Sequence, residues 1–301
     1  MGGVDYNPII RDMTWSYSRV KAFHDCPYRW FLKYVQPKLL IRQAFGGQYP
    51  SAADVAAAYV RSEIDRADAG LLYDHLGVRR KDMFFASYGL FLHKLIELYY
   101  RGEKPPQELC KIYLQEFRQR VRGSPPNETV FANYFRSGLA YLRSFQPFPY
   151  RTVEVEKRFR CTLDGIPLAG CIDYIGERDG ELVIVDHKSK MLKLRGKRAK
   201  PGKSDRELDE YLVQLYLYAA AVEALYGRRP AALCFNCFRA PLLIEEPFRE
   251  EAYSKAREWF IGQVAEIAKE TVFAPRAEFF KCRYLCEMQD FCDYCEHLER
   301  R

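Results

Sequence analysis

Asp173, Asp186 and Lys188 have the types and spacing for metal-assisted chemistry, because a hairpin would set the two carboxylates side by side with the lysine two residues on. The run reads Gly170-Cys171-Ile172-Asp173-Tyr174-Ile175-Gly176-Glu177-Arg178-Asp179-Gly180-Glu181-Leu182-Val183-Ile184-Val185-Asp186-His187-Lys188. Asp179-Gly180 suits a two-residue type I′ turn, in which both central residues need φ > 0. A turn there predicts that Arg178 faces Glu181, Ile175 faces Ile184 and Asp173 faces Asp186. Side chains alternate along a strand, so Lys188 shares the face of Asp186 while His187 points the other way and is assigned no catalysis. Directly opposed residues have Cβ atoms about 4.5–5.5 Å apart, where like charges repel. The run Leu182-Val183-Ile184-Val185 is apolar on both faces, which argues for burial over a solvated edge hairpin. Buried, facing carboxylates call for a cation between them, and the pair reads as a metal site.

Weaker signals lie elsewhere. His93 and Glu97 are four residues apart and so share a helix face, as do Gln214 and Tyr218. From Lys190 to Lys203 there are seven basic residues and no acidic one: Lys190, Lys193, Arg195, Lys197, Arg198, Lys200 and Lys203. Such a loop beside a carboxylate site suggests a polyanionic substrate. Ten cysteines are present, with Cys282, Cys286, Cys292 and Cys295 crowded near the end and Cys26 before a proline near the start. Cys110, Cys161, Cys171 and Cys234 read as small buried residues, and Cys234-x-x-Cys237 as part of a strand.

The elements that must position these groups follow from patterning. Helices are expected at Ser16–Phe23, interrupted near Cys26-Pro27 and resumed through Trp30 and Tyr34, then over Ser51–Arg80 and Ala86–Tyr100. Helical pieces continue to about Ser144. Strands begin after Pro149, with Thr152–Phe159 and Cys161–Leu163 running to a turn at Asp164-Gly165. After the hairpin come the basic loop, a helix over Glu207–Tyr226, a strand over Ala231–Phe238 and a helix from Glu250 to about Lys269. This is an α/β fold, a mixed central sheet flanked by helices with an N-terminal helical insert. At 301 residues with 48% apolar content, a single domain of 1–301 is expected. It would divide into a helical subdomain over about 45–148, a core over about 150–270 and a cysteine region over 275–301 that packs with Cys26. No run approaches the ~20 apolar residues of a membrane span, and Met1–Asp5 does not open a secretory signal. No membrane partner is expected, and the cytoplasm is the expected location. A disulfide scaffold does not fit that setting.

In this order the residues resemble the PD-(D/E)XK nuclease superfamily, specifically its RecB-like branch. The family pattern is a helix histidine, a G-x-x-D, a (D/E)-x-K and a Q-x-x-x-Y helix; here these are His93, Gly170 through Asp173, Asp186-His187-Lys188, and Gln214 through Tyr218. The resemblance spans roughly Ser16 to Cys295 and implies a restriction-endonuclease-like core. It implies that His93, Asp173 and Asp186 bind Mg²⁺ or Mn²⁺, to which hard oxygens and an imidazole are suited. Lys188 would position water or stabilise the transition state, Gln214 and Tyr218 would contact the substrate backbone or brace the site, and Glu97 is an accessory candidate. Members with iron–sulfur clusters add an N-terminal cysteine and a C-terminal cysteine group. By that analogy Cys26, Cys282, Cys286 and Cys292 would hold a [4Fe–4S] cluster, with Cys295 as an alternative ligand. Cys282-x₃-Cys286 is one residue longer than the common spacing, and zinc on the four C-terminal thiolates is the competing reading.

Two other functions fit the sequence less well. Gly202-Lys203-Ser204 ends like a P-loop, but Gly196 is one position too far upstream, so any helicase or recombination motor would be a separate partner. A non-catalytic or partner-activated DNA-binding protein would not need the intact Asp173, Asp186 and Lys188. The sequence therefore points to a metal-dependent deoxyribonuclease, expected to be an exonuclease on single-stranded DNA or free ends, in repair, recombination, phage or CRISPR-linked processing.

Overall fold

The computed structural model describes residues 6–196 and 200–295. Residues 1–5, 197–199 and 296–301 lie outside the described residues, and with them Lys197 and Arg198 of the basic run. In chain order the helices are α1 (Asn7–Arg11), α2 (Tyr17–Asp25), α3 (Pro27–Tyr34), α4 (Gln36–Phe45), α5 (Ala52–Val60), α6 (Arg66–His75), α7 (Phe84–Tyr100), α8 (Pro106–Arg120), α9 (Glu128–Arg143), α10 (Lys203–Tyr226), α11 (Glu250–Ile267) and α12 (Phe279–Leu285). The strands are β1 (Arg151–Leu163), β2 (Ile166–Arg178), β3 (Glu181–Lys188), β4 (Ala232–Cys237) and β5 (Leu242–Pro247). Among the described residues no helix is long and apolar enough to cross a membrane.

The chain forms two compact units. One comprises Met1–Met13, Ser18–Met83 and Gln263–Arg301, the other Thr14–Tyr17 and Phe84–Gly262. The helical stretch expected over about 45–148 is thus divided between them. Packing explains the division. α4 to α6 bury Leu40, Ile41, Val55, Ala58, Leu71 and Leu72 with Cys286 and Met288 of the C-terminal segment. α7 to α9 instead build an aromatic core of their own, with Phe84, Tyr88, Phe91, Tyr113, Phe117 and Tyr141. In the first unit the C-terminal segment is also tied to α3 by ion pairs from Arg29 (2.6 Å) and Lys33 (2.5 Å) to Glu287.

The second unit carries a five-stranded sheet in the order β1-β2-β3-β4-β5. Only β3 and β4 are parallel, as their connection through α10 requires. This is the mixed, helix-flanked, restriction-endonuclease-like core expected from the sequence. Asp179 (φ 55°) and Gly180 (φ 82°) take the left-handed turn conformation, and Arg178 faces Glu181 and Ile175 faces Ile184. A second turn at Asp164 (φ 49°) and Gly165 (φ 81°) joins β1 to β2. α7 starts at Phe84 and α10 at Lys203, both earlier than patterning suggested. β5 was not foreseen: no element was assigned between Phe238 and Glu250, and the strand carries Glu245 and Glu246. They are accommodated by charge, since Glu245 meets Arg178 and Tyr150 while Glu246 meets Arg195.

Candidate active site

Pairing of β2 with β3 runs from the turn to Tyr174 facing Val185 and then stops. One residue further, Asp173 does not simply oppose Asp186. Its Oδ2 accepts the His187 N–H at 2.7 Å, so the backbone of β3 clamps the carboxylate. Asp173 and Asp186 are both buried, at 9% and 3% exposure. Burial, and then the charge of Asp186, holds the Asp173 carboxyl well above the usual aspartate range.

Lys188 lies on the face of Asp186, with Nζ 2.7 Å from its Oδ2. That ammonium also donates to Gln214 Oε1 at 2.8 Å. Gln214 in turn donates through Nε2 to Asp186 Oδ1 (2.9 Å) and to the Tyr218 hydroxyl (2.8 Å). Only a primary amide offers an acceptor to the ammonium and two donors to the carboxylate and phenol, so glutamate would not serve. Burial raises the Tyr218 phenol, which stays protonated. α10 brings Gln214 and Tyr218 to this corner because both lie on the face packed against β1, β3 and β4. Gly170 permits the close approach: a Cβ there would come within 2.8 Å of the Phe159 ring and 3.3 Å of Tyr218.

His93 arrives from α7. Its Nε2 lies 3.2 Å from the His187 carbonyl oxygen and its Nδ1 lies 3.6 Å from Asp173 Oδ2. A carbonyl only accepts, so Nε2 carries the proton and the Nδ1 lone pair faces Asp173. Burial lowers the His93 pKa and favours this neutral form. His187 does point the other way, as alternation predicted. Its ring is fully buried and neutral, bonded at Nδ1 to Asn236, which also donates to the Tyr141 hydroxyl. Its main chain nonetheless fixes both Asp173 and His93.

Glu156 was missed by the sequence reading. Its carboxylate joins His93 and Asp173 in a group whose ligand atoms all lie within 4.8 Å of one another. The signal was available: counting from the Asp164-Gly165 turn, Val155 faces Tyr174 and Lys157 faces Ile172, which leaves Glu156 opposite Asp173. Glu156 has φ 52°, a left-handed conformation within a strand, a strain that marks functional sites. Its carboxyl, raised by burial, accepts from the Cys171 thiol at 3.3 Å. Cys171 is therefore a neighbour of the site rather than an ordinary core cysteine. Glu97 stands apart from this group, paired with Lys94 (3.0 Å) and Arg101 (2.9 Å).

The donor set fits a hard divalent cation. It offers carboxylate oxygens and one neutral imidazole nitrogen, with the buried Asp186 Oδ2 facing the Lys188 ammonium at 2.7 Å.

A family model for the PD-(D/E)XK nuclease superfamily matches residues 57–293. The chain belongs to the PD-(D/E)XK nuclease superfamily. Among curated proteins no sequence matches it. Of solved structures, one from Eubacterium rectale described as "Putative exonuclease" is similar at 14% identity and TM-score 0.40, covering 96% of each chain. Another, SSO0001, is similar at 15% identity and TM-score 0.28, covering 73% of this chain and 90% of its own. The matched range includes Asp173 and the Asp186-His187-Lys188 segment of β3.

The cysteines of this PD-(D/E)XK chain are arranged as follows. Cys26 caps α3, and its sulfur accepts the backbone N–H of Arg29 (3.5 Å) and of Arg276 (3.3 Å). Cys282 and Cys286 are buried, and burial pushes the Cys286 thiol up to about 12. Cys295 is in hydrogen-bond contact with Cys292 and Cys282, while Cys286 packs into the apolar cluster around Leu72 and Met288. Cys234 and Cys237 are buried on β4.

Proposed function

We infer that the protein is a Mg²⁺- or Mn²⁺-dependent deoxyribonuclease of the RecB-like kind, hydrolysing phosphodiester bonds from the ends of single-stranded DNA. The observation that carries this reading is the closed network at the β2–β3 corner, in which Asp186 is held by both Gln214 and Lys188 beside a clamped Asp173. His93, Asp173 and Asp186 would hold the divalent ion, with Glu156 completing the group. When bound, the ion supplies Lewis acidity to the phosphate and a more acidic water.

The remaining steps belong to the protein. Asp173 and Asp186 orient the attacking water, and its proton leaves toward a carboxylate or solvent. Lys188 offers a positive charge to the phosphate oxygen that gains charge as the phosphorus is attacked. Gln214 fixes that ammonium, and Tyr218 fixes Gln214. The P–O bond to the leaving nucleotide then breaks, and the departing oxygen takes a proton from solvent.

In the same reading Cys26, Cys282 and Cys292 hold a [4Fe–4S] cluster together with Cys295 or Cys286, and the contacts of Cys295 favour it. Two N–H donors on the Cys26 sulfur suit a thiolate ligand. Zinc on the four C-terminal thiolates is the second reading, supported by the contact of Cys295 with two neighbours. A helicase or recombination partner would be a separate chain.

The test uses anaerobically purified protein with Mn²⁺ on linear and closed circular single strands. Degradation of the linear form alone is expected. Equal cutting of the circle would refute action at ends.

A further inference from the structure

Beyond the acidic corner, β1 and β2 continue in unbroken register from Arg158 facing Cys171 to Leu163 facing Ile166. One face of this arm is packed: Phe159 is buried and rests on Tyr218. The other face is open. Arg158 and Arg160 are both exposed on it, and Cys171 and Ala169, the residues opposite them, are too small to cover them.

Among the described residues neither arginine makes an ion pair or hydrogen bond with the protein. Other cations near the sheet are committed elsewhere. Arg101 pairs with Glu97 at 2.9 Å, Arg195 with Asp209 and Glu246, and Lys190 with Glu207. The basic loop that drew attention in the sequence therefore spends two of its charges internally, while two arginines on β1 are left for a ligand.

Arg158 and Arg160 line a cleft of about 790 Å³ that also touches Glu156, Gly170 and Cys171. The cleft thus leads from the acidic corner along the arm. Residues two apart on a strand repeat every ~6.6 Å. That repeat is commensurate with successive phosphates along one strand of nucleic acid.

We propose that the open face of the β1–β2 arm is the substrate track, on which a single strand lies extended with adjacent phosphates on Arg158 and Arg160, its next phosphate reaching the acidic corner. This rests on the nuclease reading, its single-stranded substrate included, and adds the route that strand takes. Guanidinium groups suit it because they pair with phosphate through two N–H donors at once. Glu97, on the cleft wall, does not oppose the strand, because Lys94 and Arg101 neutralise it.

The test measures binding without cutting. Full-length Asp186→Asn protein is titrated with fluorescent dT15 by anisotropy across a range of salt concentrations, alone and with Arg158→Gln, Arg160→Gln or both. Each phosphate contact to a single strand contributes about 0.7 to the slope of log affinity against log salt. Each single change is expected to weaken dT15 binding and flatten the slope by about 0.7, the double change by about 1.4. Arg160→Lys, which keeps the charge, is expected to hold the slope. Thermal melts of the variants check folding, which exposed side chains should not disturb. An unchanged slope and affinity in the double variant overturns the track. A slope change with a 15-base-pair duplex but not with dT15 overturns the single-strand assignment. Cleavage of dT15 by wild type is scored separately: its absence counts against the nuclease, not against the track.

Discussion

The carboxylate corner of the sheet and the cysteine segment of the first unit hold their polar groups by different means. At the corner every side chain is fixed by another part of the second unit: Asp173 by the His187 N–H, His93 by the His187 carbonyl, Asp186 and Lys188 by Gln214. The price is electrostatic, with two buried carboxylates in one place and Glu156 in a left-handed conformation beside them. The cysteine segment has little regular structure, a two-turn helix and a single 3-10 turn, and is tied down by Glu287 and by packing onto α4 to α6. A rigid, charge-frustrated site suits a cation that does chemistry. A segment low in secondary structure suits a metal group that does the work of a missing core.

That contrast is sharpest in the effect of removing one ligand from each. Asp186→Ala should cut nuclease activity by a factor of about 10³ or more, the scale expected when a charge-stabilising group is lost. The melting temperature should hardly fall, because relief of carboxylate repulsion offsets the lost contacts. Cys26→Ser should do the reverse. Loss of visible absorbance and a lower melting transition are expected first, since structural metal binding is folding free energy. Intact absorbance in Cys26→Ser protein would break the contrast on the cysteine side, and a colourless wild type containing zinc would replace iron by zinc.

A smaller effect separates Glu156 from the ligands read in the sequence. Glu156→Gln should weaken Mn²⁺ binding, measured calorimetrically, by about 10–100-fold, as for groups that tune a metal's ligands. Unchanged affinity would remove Glu156 from the site. Asn236→Leu should lower turnover several-fold with little change in KM, because Asn236 steadies the His187 ring and thereby the main chain that clamps Asp173 and His93. An unaltered turnover would limit Asn236 to the core.

The smallest effect is on stability against pH. The Asp173 carboxyl is raised, so the folded metal-free protein holds that proton more tightly than the unfolded chain. Its stability should therefore fall as pH rises from the ordinary aspartate range through the raised value, then level off. Added Mn²⁺ should reverse the fall, and Asp173→Asn should flatten it. Chemical denaturation of the apo protein across that window checks the sign.

What was legible in the sequence divides along physical lines. The β2–β3 hairpin was readable because Asp179-Gly180 fixes its turn, and a fixed turn dictates every facing pair up to Tyr174 and Val185. Gln214 and Tyr218 were found through family resemblance, since nothing in a helical Gln-x-x-x-Tyr reveals that both will bond one another. Glu156 escaped because it sits in the charged, alternating stretch Glu154-Val155-Glu156-Lys157-Arg158, where no residue type stands out. Only the register of β1 on β2 distinguishes it. Arg158 and Arg160 escaped for the opposite reason: the neighbouring basic loop carries more charge per residue, but composition does not show which charges are already paired.

The measurement that bears most directly on the central claim is degradation of end-labelled single-stranded DNA with Mn²⁺, comparing wild type with Asp186→Ala prepared and melted side by side. The account predicts metal-dependent cutting by wild type and its loss in the variant at an unchanged fold. Cutting that survives the substitution, or a wild type with its metal groups loaded that does not cut, would contradict it.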